Sequence, residues 1–347
     1  MRDTIGMSVQ LANQAMRAGW YYGLSRLLER QARAAGVPPS EKPQRPVPTF
    51  RELLAELSAL LLDDAKAVRD GIYPPMPEAS DGPAQYLARV QAMLRDLPSA
   101  LSRRAAADTQ SARTAMTDIN ADLPGYYTQD FHFQTGGYLT EESARIYDVQ
   151  LETLFMGAGG PMRRRALRAI CEAVRGRDQR QLHLLDVACG TGRFLRQVRL
   201  ALPRIALTGL DLSAAYLEEG QRQFSNLKPA HWLQADAERI PLHDASQDII
   251  TCLFLFHELP PEVRRSVAGE MARILKPGGR LIFMDSLQMG DKPGWDGLLE
   301  AFPLRFHEPY YRQYAIDDLD RLFGDAGLFA METATPFLSK LMVRQKL

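Results

Sequence analysis

The stretch Leu185-Asp186-Val187-Ala188-Cys189-Gly190-Thr191-Gly192-Arg193-Phe194 decides the fold. It reads as a short buried strand, His183–Ala188, running into a glycine-rich turn and then a helix over 192–201. Glycine there lets a ligand approach the backbone, because no side chain stands in the way. A Gly-x-Gly pair alone is a weak signal. A dinucleotide fingerprint would need a third glycine three residues on, and Leu195 stands there, which weighs against a nicotinamide cofactor.

Downstream the chain alternates strand and helix. Strands are expected at Ala206–Asp211, His231–Asp236, Asp248–Phe254 and Arg280–Asp285, with helices over 214–224 and 261–275 between them. Two closing strands near 329–335 and 339–345 read as a terminal hairpin. The alternation predicts an α/β fold, a parallel sheet with helices on both faces.

Upstream the pattern is helical and broken by proline. Leu11–Ala35, Phe50–Val68 and Gln85–Leu97 carry apolar residues at helical spacing, and a fourth helix is expected over 101–116. Proline-rich breaks lie at Val37–Pro48 and Gly71–Pro83. This divides the chain into a helical accessory or cap domain (1–125), an aromatic segment with connecting helices (126–180), and a Rossmann-like domain (181–347). The segment 126–138, Tyr-Tyr-Thr-Gln-Asp-Phe-His-Phe-Gln-Thr-Gly-Gly-Tyr, is rich in aromatics and has no aliphatic residue. It fits a core strip between domains or a lid over a site. Thr140, followed by Glu141 and Glu142, is an expected helix N-cap, and a further helix is expected from Pro161 through Arg175.

Composition excludes several classes. The chain has 347 residues, long enough for two domains, with 42 basic and 42 acidic residues and 46% hydrophobic residues. A balanced charge does not suit a nucleic-acid binder, and Arg163-Arg164-Arg165 reads as a solvated helix face. Three cysteines without a Cys-x-x-Cys pair support neither a disulfide framework nor a structural zinc, and no metal is expected. Met1–Gln10 is not signal-like and no long apolar run exists, so a cytoplasmic location with no membrane partner is expected. The stripe Leu53, Leu54, Leu57, Leu60, Leu61 serves equally as core or as a homodimer interface.

Four further motifs follow the first: Thr208-Gly209-Leu210-Asp211-Leu212-Ser213, Gln234-Ala235-Asp236-Ala237-Glu238, Asp248 to Leu259, and Ile274-Leu275-Lys276-Pro277-Gly278-Gly279-Arg280. Asp211 ends a strand, where a carboxylate can accept hydrogen bonds from both ribose hydroxyls. In this order the five motifs resemble the class I S-adenosylmethionine-dependent methyltransferases over about 181–286. The resemblance implies a seven-stranded sheet whose last strand is antiparallel, with S-adenosylmethionine bound across the C-terminal strand edges. It implies that Asp186, Ala188, Gly190 and Gly192 wrap the methionine part. Asp211 would hold the ribose, Leu212 would pack on adenine, and Asp236 and Ala237 would contact the adenine edge. Cys252, Leu253 and His257 would face the sulfonium and the acceptor. The usual first glycine of the family's turn is Ala188 here.

The runs Phe131 to Leu139 and Phe302 to Tyr311 also resemble a bacterial subgroup with a helical N-terminal extension, in a layout similar to the azetidine-2-carboxylate synthases. His257 is a candidate general base, since imidazole titrates near neutrality. Tyr138, beside Gly136 and Gly137, is the second catalytic candidate, because an aromatic face attracts a sulfonium. Tyr127, Phe131, His132, Gln134, His307, Glu308 and Tyr311 are expected to line the substrate or lid side. The family's Asn/Asp-Pro-Pro-aromatic motif is missing after the fourth strand, which favours a small-molecule acceptor over amide or nucleobase amino groups. The expected activity is methyl transfer to a small molecule. The alternatives are cyclisation of S-adenosylmethionine with release of methylthioadenosine, and a non-catalytic protein with a degenerate fold.

Overall fold

The computed structural model describes residues 3–37, 42–77, 81–109, 123–129 and 131–347. The sheet is built from β1 (His183–Val187), β2 (Ala206–Asp211), β3 (His231–Gln234), β4 (Gln247–Leu253), β5 (Leu275–Ser286), β6 (Leu328–Ala334) and β7 (Ser339–Lys346). Their order is β3-β2-β1-β4-β5-β7-β6, with β7 antiparallel to both its neighbours. The chain steps outward from β1 to β3, then returns to the other side of β1 with β4. That reversal leaves a crevice at the C-terminal ends of β1 and β4, where open α/β sheets bind ligands.

Alternation along the strands sends neighbouring side chains to opposite faces. Leu184, Ile249 and Ile282 enter one core, while Leu185, Ile250 and Leu281 enter the other. The first core is covered by α5 (Gly159–Ala173) and α6 (Arg193–Ala201), the second by α8 (Pro261–Ile274) and α11 (Leu319–Asp325). The remaining helices of the α/β part are α4 (Glu141–Leu154), α7 (Ala214–Gln223), α9 (Asp296–Arg305) and α10 (Tyr311–Tyr314). Thr140 caps α4 by accepting the Ser143 N–H at 3.1 Å. In β5 the Lys276-Pro277-Gly278-Gly279 run falls inside the strand: pairing jumps from Gln247–Leu275 to Ile249–Arg280, so these residues bulge out of register.

Among the described residues, the N-terminal region holds α1 (Thr4–Ala34), α2 (Phe50–Arg69) and α3 (Pro83–Ala106). Thr49 and Glu52 form a reciprocal capping box at the start of α2. Leu57, Leu60 and Leu61 of the leucine stripe are buried in the first sheet core with Met162, Leu167 and Ile170 of α5, while Leu54 stays exposed. Most of the stripe is therefore core within the chain. A smaller cluster joins Tyr21 and Leu24 of α1, Val90 and Met93 of α3, and Ile146 and Val149 of α4.

Two sequence expectations are corrected here. The third and fourth helices are one: α3 continues through Pro98, and Leu101 beyond it is still buried. Its missing N–H is offset by packing on both sides of the proline; the helix stops at Ala106, 107–109 are not helical, and 110–116 lie outside the described residues. The Arg163-Arg164-Arg165 run is not a solvated face. Arg164 is fully buried and pairs with Asp64 through Nε to Oδ1 at 2.6 Å and Nη2 to Oδ2 at 2.9 Å. Asp64 also accepts Tyr73 Oη at 2.8 Å and Gln10 Nε2 at 2.9 Å. Among the described residues no helix is long and apolar enough to cross a membrane.

Candidate active site

A cavity opens at the crevice. Its cofactor-side lining is Ala188, Gly190, Asp211, Leu212, Asp236, Ala237 and Leu253, all of them candidates from the motifs. Ala188 and Gly190 both take left-handed backbones (φ +56° and +55°), a conformation that disfavours side chains and explains why glycine suits the turn. The Asp211 carboxylate accepts the Gly190 N–H at 2.8 Å and the Ser213 N–H at 2.9 Å. Burial nonetheless raises its pKa above the usual carboxylate range.

The rest of the lining is largely aromatic. Tyr126, Tyr127, Tyr138, Tyr147 and Tyr216 belong to it. Tyr138 stacks on Phe131 at 5.3 Å and meets Tyr216 and Tyr147 edge-on at 5.6 and 5.9 Å. Ser213, which caps α7 by accepting the Tyr216 N–H, donates its hydroxyl to the Tyr138 carbonyl at 2.6 Å. The loop after β2 therefore anchors the aromatic segment. Gly136 and Gly137 form a left-handed turn, and a Cβ on Gly136 would lie 2.5 Å from Thr140 Cγ2. The glycines fold the chain tightly where the helix cap approaches.

A second polar cluster adjoins this wall. The Tyr138 hydroxyl donates to Glu258 Oε1 at 2.6 Å. His257 Nδ1 lies 2.5 Å from Asp285 Oδ1, and Asp285 Oδ2 accepts the Phe256 N–H at 2.7 Å. Burial alone would depress the His257 pKa, but the Asp285 carboxylate carries it up to about 10. Burial pushes Glu258 up to about 7 and Glu308 well above its ordinary value. His132 Nε2 approaches Glu308 Oε1 at 3.0 Å, and burial, with the charges of His257 and His307, lowers the His132 pKa to about 3. His132 and Phe133 both have left-handed backbones (φ +55° and +56°), strain that clusters at functional sites.

The other expected residues fall in different places. Asp186 is buried and takes the Thr251 hydroxyl at 2.6 Å, and burial raises it to about 7. It does not line the cavity itself. Two expectations of residues at the ligand are corrected, since neither Cys252 nor Gly192 lines the cavity. Cys252 packs in the core with Leu185, Ile250 and Phe256, because alternation along β4 turns Leu253 to the cavity instead. Gly192 caps α6, and a Cβ there would strike the Trp232 ring at 2.6 Å, so it serves packing. Gln134 donates to Ser143 Oγ and weakly to Tyr216 Oη. His307 Nε2 meets Gln129 Oε1 at 3.0 Å, and the Tyr311 and Ser286 hydroxyls are 2.6 Å apart. His257 Nδ1 faces Asp285, whose carboxylate favours the protonated ring. Tyr147, Tyr216 and Glu258 line the cavity without having been singled out. Glu258 had a signal, since it adjoins His257 in the fourth motif.

Residues 184–279 match the family model described as a methyltransferase domain. The chain is 31% identical over 172 residues to a demethylmenaquinone methyltransferase of Thermotoga maritima, covering 50% of this chain and 70% of that one. It is 32% identical over 165 residues to a ubiquinone/menaquinone biosynthesis C-methyltransferase of Methylobacterium nodulans, covering 47% and 63%. A magnesium protoporphyrin IX methyltransferase from Synechocystis aligns with a TM-score of 0.42 at 18% identity, covering 53% of this chain and 83% of that one. The chain belongs to the class I S-adenosylmethionine-dependent methyltransferases, and S-adenosylmethionine is its cofactor. The residues fit that group. The space at Gly190 is open, with Tyr216 Cδ1 the nearest atom to an added Cβ at 4.0 Å. Asp211, fixed by two backbone N–H groups, keeps acceptor capacity for ribose hydroxyls.

Proposed function

We propose that the protein transfers a methyl group to a small, planar, largely apolar acceptor held between the cofactor edge and the tyrosine wall. The cofactor supplies a methyl group on a sulfonium, and the leaving thioether needs no acid. What remains for the chain is to position the acceptor and exclude water. Gly190, Asp211, Leu212, Asp236 and Ala237 hold the cofactor side. Tyr127, Tyr138, Tyr147 and Tyr216 enclose the acceptor side, and the Tyr138–Glu258 hydrogen bond is a polar point on that wall that orients an acceptor oxygen. Residues 1–125 act as a cap in this reading: Arg103 of α3 donates to the Phe133 carbonyl at 3.1 and 2.9 Å and steadies the segment carrying the wall. The observation that carries the reading is that five tyrosines line the same cavity as Asp211 and Gly190. The names of the two quinone-pathway relatives support a ring-shaped acceptor.

The same enclosure favours a second reading, cyclisation of S-adenosylmethionine to azetidine-2-carboxylate with release of methylthioadenosine. Aromatic faces lining the cofactor cavity suit a cation, the sulfonium itself included. One experiment separates the two. The pure protein is incubated with S-adenosylmethionine, with and without a panel of hydroquinone and phenolic acceptors, and the products are identified by mass spectrometry. S-adenosylhomocysteine formed only with an acceptor supports methyl transfer. Methylthioadenosine and azetidine-2-carboxylate from the cofactor alone would refute it in favour of cyclisation.

A further inference from the structure

His132, from the turn 131–133, Glu258, following β4, and Glu308, ahead of α10, come from three distant parts of the chain. One nitrogen or carboxylate oxygen from each lies within 4.8 Å of the others. Glu308 is decisive. Its side chain is fully buried, and neither of its oxygens accepts a hydrogen bond among the described residues. A buried carboxylate with no donor is unfavourable and calls for a partner. His257, 3.8 Å from Glu258, is already engaged by Asp285. His132 presents Nε2 to Glu308 at 3.0 Å, and a neutral imidazole nitrogen is a ligand.

We propose that His132, Glu258 and Glu308 bind one divalent cation of the Mn²⁺ or Zn²⁺ type. One nitrogen and two carboxylates suit such borderline ions. Metal–ligand bonds of about 2.1 Å place adjacent ligands about 3 Å apart, the separation of His132 and Glu308. Tyr138 occupies Glu258 Oε1, leaving the second oxygen of that carboxylate for the ion. Three protein ligands leave coordination positions open, and Glu258 lines the cavity, so an open position faces the acceptor side. Sequence spacing gave no hint of a metal here, because the ligands lie 126 and 50 residues apart.

The test uses the full-length protein stripped with EDTA and titrated with MnCl₂ and ZnCl₂, without S-adenosylmethionine. Calorimetry and Mn²⁺ electron paramagnetic resonance give stoichiometry and affinity. The expected result is one ion per chain, with affinity reduced at least about tenfold in Glu308→Gln and in His132→Ala. Crystals soaked in MnCl₂ supply a second measurement that needs no variant: an anomalous peak is expected among the three side chains. Absence of stoichiometric binding by either ion, unchanged binding in Glu308→Gln, or a peak elsewhere would overturn the proposal. No cofactor is present in the assay, so its failure leaves the methyl-transfer reading standing, and failure of that reading leaves the ion.

Discussion

Gly190 and Gly192 lie in one turn with similar left-handed backbones (φ +55° and +68°), yet alanine at the two positions should do different things. Both substitutions force a side chain into the left-handed region, which costs about 1–2 kcal/mol. At Gly190 little more is lost, because an added Cβ meets only Tyr216 Cδ1 at 4.0 Å. At Gly192 the Cβ would stand 2.6 Å from Trp232 Cη2, 3.1 Å from Cζ3 and 3.3 Å from Gly220 Cα. Trp232 is itself packed edge-on against Phe224 at 5.2 Å, so overpacking adds about 1–3 kcal/mol. Gly192→Ala should therefore lose about 2–5 kcal/mol in total and Gly190→Ala about 1–2 kcal/mol. At about 2–4 °C per kcal/mol, Gly192→Ala melts 4–20 °C below the parent and Gly190→Ala 2–8 °C below it.

Thermal melts with and without S-adenosylmethionine complete the test. A ligand at one hundred times its Kd adds about 2.7 kcal/mol, an upward shift of about 5–11 °C. The parent and Gly192→Ala should keep that shift. Gly190→Ala should lose it, because its methyl group enters the cavity at the cofactor edge. A normal ligand shift in Gly190→Ala, or a melt for Gly192→Ala no lower than for Gly190→Ala, would refute the assignment of one glycine to binding and the other to packing.

Tyr138→Phe removes the hydroxyl that Glu258 accepts at 2.6 Å. Losing a hydrogen bond to a charged group of about 1.5–3 kcal/mol should lower kcat/KM about 10- to 100-fold, with the melting shift by S-adenosylmethionine unchanged. Asp64→Ala strands the fully buried Arg164 and should cost about 3–5 kcal/mol, with part regained in Asp64→Ala/Arg164→Met, both read by chemical denaturation. Asp186 is raised by burial to about 7 in the folded chain, so the folded state holds its proton where the unfolded state has released it. Its contribution is full below about pH 4 and is lost as pH rises through 7. In the cofactor-free protein, Asp186→Asn should flatten that decline by up to about 1.4 kcal/mol per pH unit; an unchanged slope would show that Asp186 is ionised in the fold.

How much of this was legible in the sequence depends on the distance over which each feature is decided. β2 begins and ends where its apolar run and Asp211 place it, and the helix cap at Thr140 lies within three residues of its partner. The expected cofactor edge drew on short stretches of the same kind, since the Gly190 turn directly follows β1 and Asp211 ends β2. The arginine run misled because the acid that buries Arg164 lies 100 residues upstream. Cys252 misled because a strand end shows which residues are near the ligand but not which of two neighbours faces it. The tyrosine wall assembles residues of the aromatic segment, α4 and α7, and a local pattern carries no mark of that convergence.

The aromatic segment unites the two alternatives the sequence left open. Phe131 and Tyr138 are buried like core, while Tyr127 and Tyr138 present themselves to the cavity like a lid. Consecutive left-handed residues at 132 and 133 cost about 1–3 kcal/mol each, so the conformation persists only because its surroundings impose it. Three elements do so: Arg103 of α3 holds the Phe133 carbonyl, Ser213 holds the Tyr138 carbonyl, and the His307 carbonyl accepts the His132 N–H at 3.3 Å. Each comes from a different layer of the fold. A wall fixed from the helical region, the cofactor loop and the segment ahead of α10 registers a change in any of them. The helical region thereby reaches the cavity wall: loosening α3 frees the backbone that carries His132 and, through it, Tyr138.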